Sequence, residues 1–304
     1  MRRAPFPSVL LWLAVASAVA VPARAEPGAV LKKIKDAGEI TLGYRESSIP
    51  FSYLDDKAQP VGYSIELCGR VVDAIKAELK MPNLKVNRQA VTSQNRIPLV
   101  ANGTVQLECG STVNNVERQA QVSFSVTSFI VATRFVAKKS AGYKTVEDLK
   151  GKTVACTSGT NTLKRVRELN EARGLGMTIL NGKDHAESML LVTSGRAEAF
   201  FEDDILLTGM VAASADPNGY ALSTDGYSVD PYALMFPKDD PEFKRVVDST
   251  LTSLYKSGEI MKIYERWFMK PIPPKNITLN FPLGAQLQRA FAKPTDTPNP
   301  GDYK

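Results

Sequence analysis

Histidine is nearly absent from this chain: His185 is the one example among 304 residues. That excludes any multi-histidine metal site and leaves room for at most one Ser/His or Cys/His nucleophile pair. Cysteine is scarce as well, and Cys68, Cys109 and Cys156 allow no more than one disulfide. Long apolar runs are missing apart from Val9 to Val21, which is 13 residues against the roughly 20 needed to span a bilayer. With 20 Gly, 19 Pro and 43% hydrophobic residues, collagen-like, low-complexity and wholly disordered chains are excluded too. What remains is an ordinary globular composition of a length that favours two domains.

The first 25 residues, MRRAPFPSVLLWLAVASAVAVPARA, combine Arg2 and Arg3 with that apolar run and with small residues at Ala23 and Ala25 before Glu26. This is the pattern of a cleaved secretory signal peptide, residues 1–25. Its removal takes away three arginines and no acid, so the formal net charge falls from +6 to +3. A nucleic-acid partner is therefore not suggested. The mature chain is expected to be soluble and outside the cytoplasm.

Ile65, Cys68, Val72, Ile75 and Leu79 recur at helical spacing, whereas Val105, Leu107, Cys109 and Val154, Cys156 alternate as in strands. Each sulfur is thereby placed on an apolar face, and all three cysteines read as reduced, buried hydrophobes.

Further along, Val30 to Ala37 reads as a short helix ended by Gly38, and Ile40, Leu42 and Tyr44 alternate as a strand. A helix is expected from Ser64 to Lys80. Strand signals recur near Lys85 to Ala90, Val105 to Cys109, Phe129 to Ala137, Thr153 to Thr157, Thr178 to Leu180 and Ala197 to Phe201, with helical patterns between most of them. Such alternation predicts an α/β fold with largely parallel sheets flanked by helices. Ligands then collect beyond the carboxyl ends of the strands. The loops there are YRESS (44–48), TSQNR (92–96), CGST (109–112), TSGT (157–160), KDH (183–185) and EDD (202–204), all of them polar. Breaks at Phe135 to Gly142 and Tyr227 to Lys238 suggest two lobes joined by two hinge crossings: residues 30–135 plus 232–290, and residues 136–231. Residues 291–304 read as a disordered tail.

Five segments in register now carry a resemblance: RIPLVANGTVQ (96–106), VERQAQVSFS (116–125), DLKGKTVACTSGT (148–160), SGRAEAFFEDD (194–204) and KSGEIMKIYERWF (256–268). The chain resembles the periplasmic amino-acid-binding proteins that feed ABC transporters. Through RESSIPFSY (45–53), TSQNRIPL (92–99), ECGST (108–112), KDH (183–185) and IPPKN (272–276) it is most similar to their glutamate/aspartate-binding branch. Gln106 departs from a frequent Asp of the family and is expected to be structural. Tyr44 is a second departure, its ring facing either the cleft or the core.

The resemblance implies a two-lobed periplasmic-binding-protein fold of type II, a monomer that closes on one molecule of L-glutamate or L-aspartate and delivers it to the permease subunits of a membrane transporter. It implies no cofactor, metal or catalytic residue. An acidic amino acid presents two carboxylates and one ammonium group. Arg96 is the expected partner of the α-carboxylate, because a guanidinium fork makes two parallel charge-assisted hydrogen bonds. Backbone N–H groups near Ser111 and Thr160 are expected to complete that set. Asp203 is the expected ammonium partner, with its twin Asp204 read as a helix cap. Arg45, His185 and Ser93 are expected to receive the side-chain carboxylate. Arg118 either touches ligand or braces the CGST loop from behind.

Two other classes of function are open to the sequence. A periplasmic dehydratase or lyase on the same fold would need a general acid, for which His185, Glu46 and Glu108 are the candidates. A sensor fused to the membrane would continue into a spanning helix after the second lobe, where this sequence has PGDYK.

Overall fold

The computed structural model describes Met1 and residues 28–303. The rest of the predicted signal peptide lies outside those residues. Two five-stranded sheets are built to one plan. In the first, Glu39–Tyr44 lies between Lys85–Ala90 and Leu107–Glu108, parallel to both, with Glu39 opposite Lys85 and Leu42 opposite Leu107. Met235–Phe236 then runs antiparallel between Leu107–Glu108 and Ser123–Phe124. In the second, Thr153–Thr157 lies between Thr178–Gly182 and Ala199–Asp203, again parallel to both. Thr133–Lys138 returns antiparallel between Ala199–Asp203 and Tyr220–Leu222.

Helices cover the sheets because their apolar residues fall on one side. In Tyr63–Leu79 the buried positions are Tyr63, Ser64, Leu67, Cys68, Val71, Val72 and Ile75, the i, i+3, i+4 stripe of a helix seated on a sheet. The parallel strands all end at the cleft between the lobes, so the loops that follow them converge there.

The lobes are joined by a two-stranded antiparallel ribbon, Phe129–Val131 against Asp230–Tyr232. The first crossing thus comes earlier than the expected boundary at residues 135/136, which falls inside strand Thr133–Lys138 of the second sheet. Only Ala132 separates the two strands, and alternation runs through it, so periodicity alone could not divide them. The ribbon is rooted in rings: Phe129 packs at 4.9 Å from Phe268 and 5.0 Å from Phe51, and Tyr232 at 5.2 Å from Phe51.

Two further expectations are corrected. Residues 291–304 are not a disordered tail, at least through residue 303. Tyr303 is 1% exposed, the Thr295 carbonyl accepts from Thr127 N–H at 2.8 Å, and the Asp296 carbonyl accepts from Asn114 Nδ2 at 2.9 Å. Proline-rich composition removes backbone donors but leaves every carbonyl, and here those carbonyls find donors on the first lobe.

The cysteines are not all reduced: Cys68 and Cys109 form a disulfide, with Cα atoms 6.0 Å apart, and Cys156 is the free thiol. A helix and a strand that bury their apolar faces against each other bring two such sulfurs together as readily as they bury two thiols. Burial pushes the Cys156 thiol far up, so it stays protonated. Unfolded without reductant, the protein should expose one titratable thiol, and in its native form none. Three thiols would refute the pairing. In urea unfolding, Cys68→Ser should lower stability by roughly 2–4 kcal/mol, given the 41-residue separation of the bridged pair.

Candidate functional site

Each of the eight sequence-predicted residues sits where a strand gives way to a loop or a helix begins. Arg45 follows strand Glu39–Tyr44. Its backbone N–H donates to Ser52 Oγ at 2.8 Å, and its side chain is 1% exposed. Arg96 begins helix Arg96–Ala101, and its Nη1 donates to the Ser111 carbonyl at 3.1 Å and to Thr112 Oγ1 at 2.6 Å. Thr112 passes this on by donating to Glu108 Oε2 at 2.7 Å. The loop that supplies these acceptors directly follows Cys109, so the disulfide anchors it to helix Tyr63–Leu79. Gly110 is needed there: a Cβ would lie 2.1 Å from Glu108 Oε1 and 3.0 Å from Arg45 Cγ.

Arg118 donates from Nη1 to the Val113 carbonyl at 2.8 Å and from Nη2 to the Gly159 carbonyl at 3.3 Å. It therefore braces the loop and also reaches the second lobe. Thr160 has its hydroxyl committed to capping helix Asn161–Ala172, where it accepts from Leu163 N–H at 3.1 Å and donates to the Thr157 carbonyl at 2.8 Å. Asp203 closes strand Ala199–Asp203. Its Oδ2 accepts from the Tyr232 hydroxyl on the hinge ribbon, and it makes no cap bond to the following helix. Asp204 does accept from Ile205 N–H, at 2.8 Å, and from Ala132 N–H, at 3.3 Å, in keeping with its structural reading.

His185 opens helix His185–Thr193. Its Nε2 lies 3.4 Å from Arg45 Nη2, across the cleft. Its Nδ1 lies 3.1 Å from Thr157 Oγ1 and 3.2 Å from Glu202 Oε2.

Seven of the eight, Ser93, Arg96, Ser111, Arg118, Thr160, His185 and Asp203, line a single cavity, which holds only about 10 Å3 of free space. Arg45 joins them through His185. A water needs roughly 10–15 Å3, so the lobes must part to admit an amino acid. Converging on this point are buried polar atoms without a hydrogen-bond partner: Arg45 Nη1, Ser93 Oγ, Arg96 Nε, Ser111 Oγ and Asp203 Oδ1. Such atoms are costly within a protein and mark a place built to receive hydrogen bonds. They comprise donors from the first lobe and one carboxylate from the second, the complement of an α-amino acid.

Burial shapes the charges. It lowers Arg45 to about 10 and Arg118 to about 9, with nearby Arg96 adding to both shifts. It raises Asp203 well above the usual carboxylate range, with Glu202 adding to the effect. It also lowers His185, and Arg45 and Arg96 push the same way against Glu202. Burial opposes ionisation of Glu202 too, but His185, the Asp203 N–H and Arg45 outweigh it and hold that carboxyl below its usual value.

Glu202, Glu108 and Tyr232 were not singled out as binding residues from the sequence. Glu202 stands in the EDD loop beside Asp203, but every position of strand Ala199–Asp203 is buried, so alternation could not say which acid faces the cleft. Gln106 is structural as expected, accepting from Thr41 N–H at 2.8 Å and donating to the Gly103 carbonyl at 2.7 Å. Tyr44 lines a surface groove with Ile65, Val72 and Val86 instead of the cleft.

Over residues 40–270 the sequence matches the family described as bacterial extracellular solute-binding proteins, family 3. The chain belongs to this family. It is 49% identical to the L-glutamate/L-aspartate-binding protein of Pseudomonas aeruginosa PAO1, over 95% of this chain and 97% of the relative. With the glutamate/aspartate import solute-binding protein of Escherichia coli K12 it shares 43% identity, over 95% and 96% of the two chains. These relatives are named for binding and import, not for catalysis. Among solved structures, an ancestral arginine-binding protein bound to arginine superposes with a TM-score of 0.68 at 26% identity, covering 76% of this chain and 98% of that one. The family fold thus does not choose the ligand, and the choice must lie in the side chains of the cleft.

Gly159 is a point of close backbone approach between the lobes. Its φ is +75°, and an added Cβ would lie 2.5 Å from Gln94 Cα and 2.7 Å from the Ser93 carbonyl oxygen on the opposite lobe. Gly159→Ala should therefore resist closure while leaving every side chain of the site in place. In solution scattering at saturating ligand, its radius of gyration should stay above that of the wild type. Equal compaction of the two proteins would show that the closed contact is not what limits closure.

Proposed function

We propose that this chain is the solute-binding component of an ABC importer, capturing L-glutamate or L-aspartate between its lobes and presenting the closed, loaded form to the membrane permease. The carrying observation is the pairing of two buried arginines with unpartnered nitrogens, Arg45 and Arg96, opposite a buried aspartate with one unpartnered oxygen, Asp203. The two relatives named for glutamate and aspartate support the same ligand class. The site of action is the periplasm, reached through cleavage of the signal peptide at residues 1–25.

In this reading Arg96 and Ser111 hold the α-carboxylate, Asp203 takes the ammonium group, and Arg45, Ser93 and His185 receive the side-chain carboxylate. Arg118 and Thr160 shape the pocket by bracing a loop and capping a helix. A doubly carboxylated ligand is expensive to desolvate unless nearly every oxygen finds a donor, and the first lobe alone lacks the ammonium partner. Contacts completed only on closure shift the hinge equilibrium toward the closed form.

The test begins with a thermal-shift screen. Glutamate or aspartate should raise the melting temperature more than any neutral or basic amino acid, by mass action on the folded state. A win for arginine, leucine or histidine would sink the acidic-ligand reading. Calorimetric titration then separates the two arginines. Arg96→Ala should weaken glutamate and glutamine alike, by roughly 30-fold or more. Arg45→Ala should weaken glutamate by a similar factor and glutamine far less. Equal losses for both ligands in Arg45→Ala would remove it from the side-chain pocket.

A further inference from the structure

The hydrogen bonds around His185 determine where its proton sits. Glu202 Oε2, a carboxylate oxygen that can only accept, lies 3.2 Å from Nδ1, and Arg45 Nη2, which can only donate, lies 3.4 Å from Nε2. Thr157 Oγ1, 3.1 Å from Nδ1, is a hydroxyl that can accept from it as well. The hydrogen is therefore on Nδ1, and Nε2 carries a lone pair, which accepts from Arg45 Nη2. Glu202 Oε2 lies beside the protonated nitrogen at 3.2 Å and has no hydrogen bond of its own.

A ligand carboxylate brought to Arg45 and Nε2 offers only lone pairs. Against the neutral ring as it stands, lone pair would face lone pair. Moving the hydrogen from Nδ1 to Nε2 would instead turn a bare Nδ1 toward the Glu202 carboxylate, lone pair against lone pair. The arrangement that satisfies both sides carries a hydrogen on each nitrogen.

We propose that an acidic ligand is bound together with one proton from solvent, which settles on Nε2 of His185 and makes the ring an imidazolium held between the ligand's side-chain carboxylate and Glu202. The neutral ring and the proton become the cation, and Arg45 Nη2 turns from the ring to the ligand. Glutamine, whose side-chain amide can donate to the lone pair of Nε2, needs no such proton. This inference rests on the glutamate/aspartate reading given above.

Other charges face the ring and must be accounted for. Glu202 favours the imidazolium. Arg45 and Arg96, from the first lobe, oppose it, and the burial of the ring opposes it too. From the neighbouring strand, the Cys156 thiol is held neutral by burial. Asp184 and Glu187, on the ring's own helix, are engaged with backbone N–H groups at its amino end, while Glu46 and Lys183 are exposed. Asp203 is the one group whose titration would imitate the effect. Because burial favours its neutral form, pairing with a ligand ammonium would release a proton, but equally for glutamate and for glutamine. The difference between the two ligands isolates His185.

The sign follows from linkage. The free ring titrates below its usual value, and in the proposed complex the ligand's carboxylate raises it. Glutamate affinity is thus full below the free-ring value and falls as pH rises toward the bound-ring value, by up to about tenfold per pH unit. Glutamine affinity should show no such fall.

The experiment is calorimetric titration of the wild type with glutamate and with glutamine at pH 7, in buffers of different ionisation enthalpy. Glutamate should take up about one proton more than glutamine does. In His185→Gln that difference should vanish while weaker glutamate binding persists. Because His185 is the one histidine in the chain, the 15N spectrum of its ring gives a second reading in the unmutated protein. The ring should be neutral with Nδ1 protonated when free, and protonated at both nitrogens with glutamate. Glutamate binding with no extra proton, an extra proton that survives His185→Gln, or a ring that stays neutral when loaded would each overturn the proton step alone. No glutamate binding at all would overturn it together with the function it rests on.

Discussion

Three arginines, Arg45, Arg96 and Arg118, are 1%, 2% and 7% exposed and gather at one cleft. Removing a cation from water is costly unless donors and countercharges are supplied, and three together also repel one another. Much of the surrounding structure answers that cost. Glu108, with no exposure at all, lies behind the first two and binds Arg96 through Thr112. Glu202 sits beyond His185, which in turn receives Arg45. Backbone carbonyls of Ser111, Val113 and Gly159 take further N–H groups. The compensation is incomplete: nitrogens left over lie where the lobes meet, and in the proposed reading a dicarboxylate supplies what the protein withholds.

The same logic explains why the second lobe matters. Its acids would be repelled by a bare dianion, yet Asp203 faces the cleft beside His185 and near the amino end of helix Asn161–Ala172. In the proposed reading the second lobe supplies the ammonium partner, while the first lobe supplies most of the carboxylate donors. Rim pairs such as Glu117 with Lys164 and Asn115 with Asn161 add contacts across the closed cleft. The exposed ion pair contributes little energy and mainly sets alignment.

Much of this was legible in the residues. Hydrophobic periodicity marks the strands, and strand ends mark the loops, which is why all eight candidates fall at the cleft. What periodicity cannot express is partnership across sequence. Cys68 and Cys109 each look like an inward residue of its own element, and only the docking of helix on strand makes them a pair. Glu202 and Asp203 are adjacent acids on a strand buried on both faces, so no alternation ranks them. The hinge was displaced because Ala132 interrupts the pairing without interrupting the pattern. Residues 294–303 look disordered by composition, which counts side chains, and are ordered through carbonyl groups, which composition does not see.

The ring cluster beneath the hinge has a mechanical consequence. Phe129 and Tyr232, one from each strand of the ribbon, are both seated among first-lobe aromatics, with Phe51 and Phe268 against them. The pivot is therefore clamped at one end, and the bending must occur at the other, around Ala132 and Val229. The second lobe then behaves as a lever on a fixed fulcrum. A ligand longer or shorter by one methylene changes the gap between Arg45 and Asp203 only slightly, but the lever enlarges that change at the exposed rim around Glu117 and Lys164. A surface docking against both lobes there would feel the length of the ligand without ever touching it.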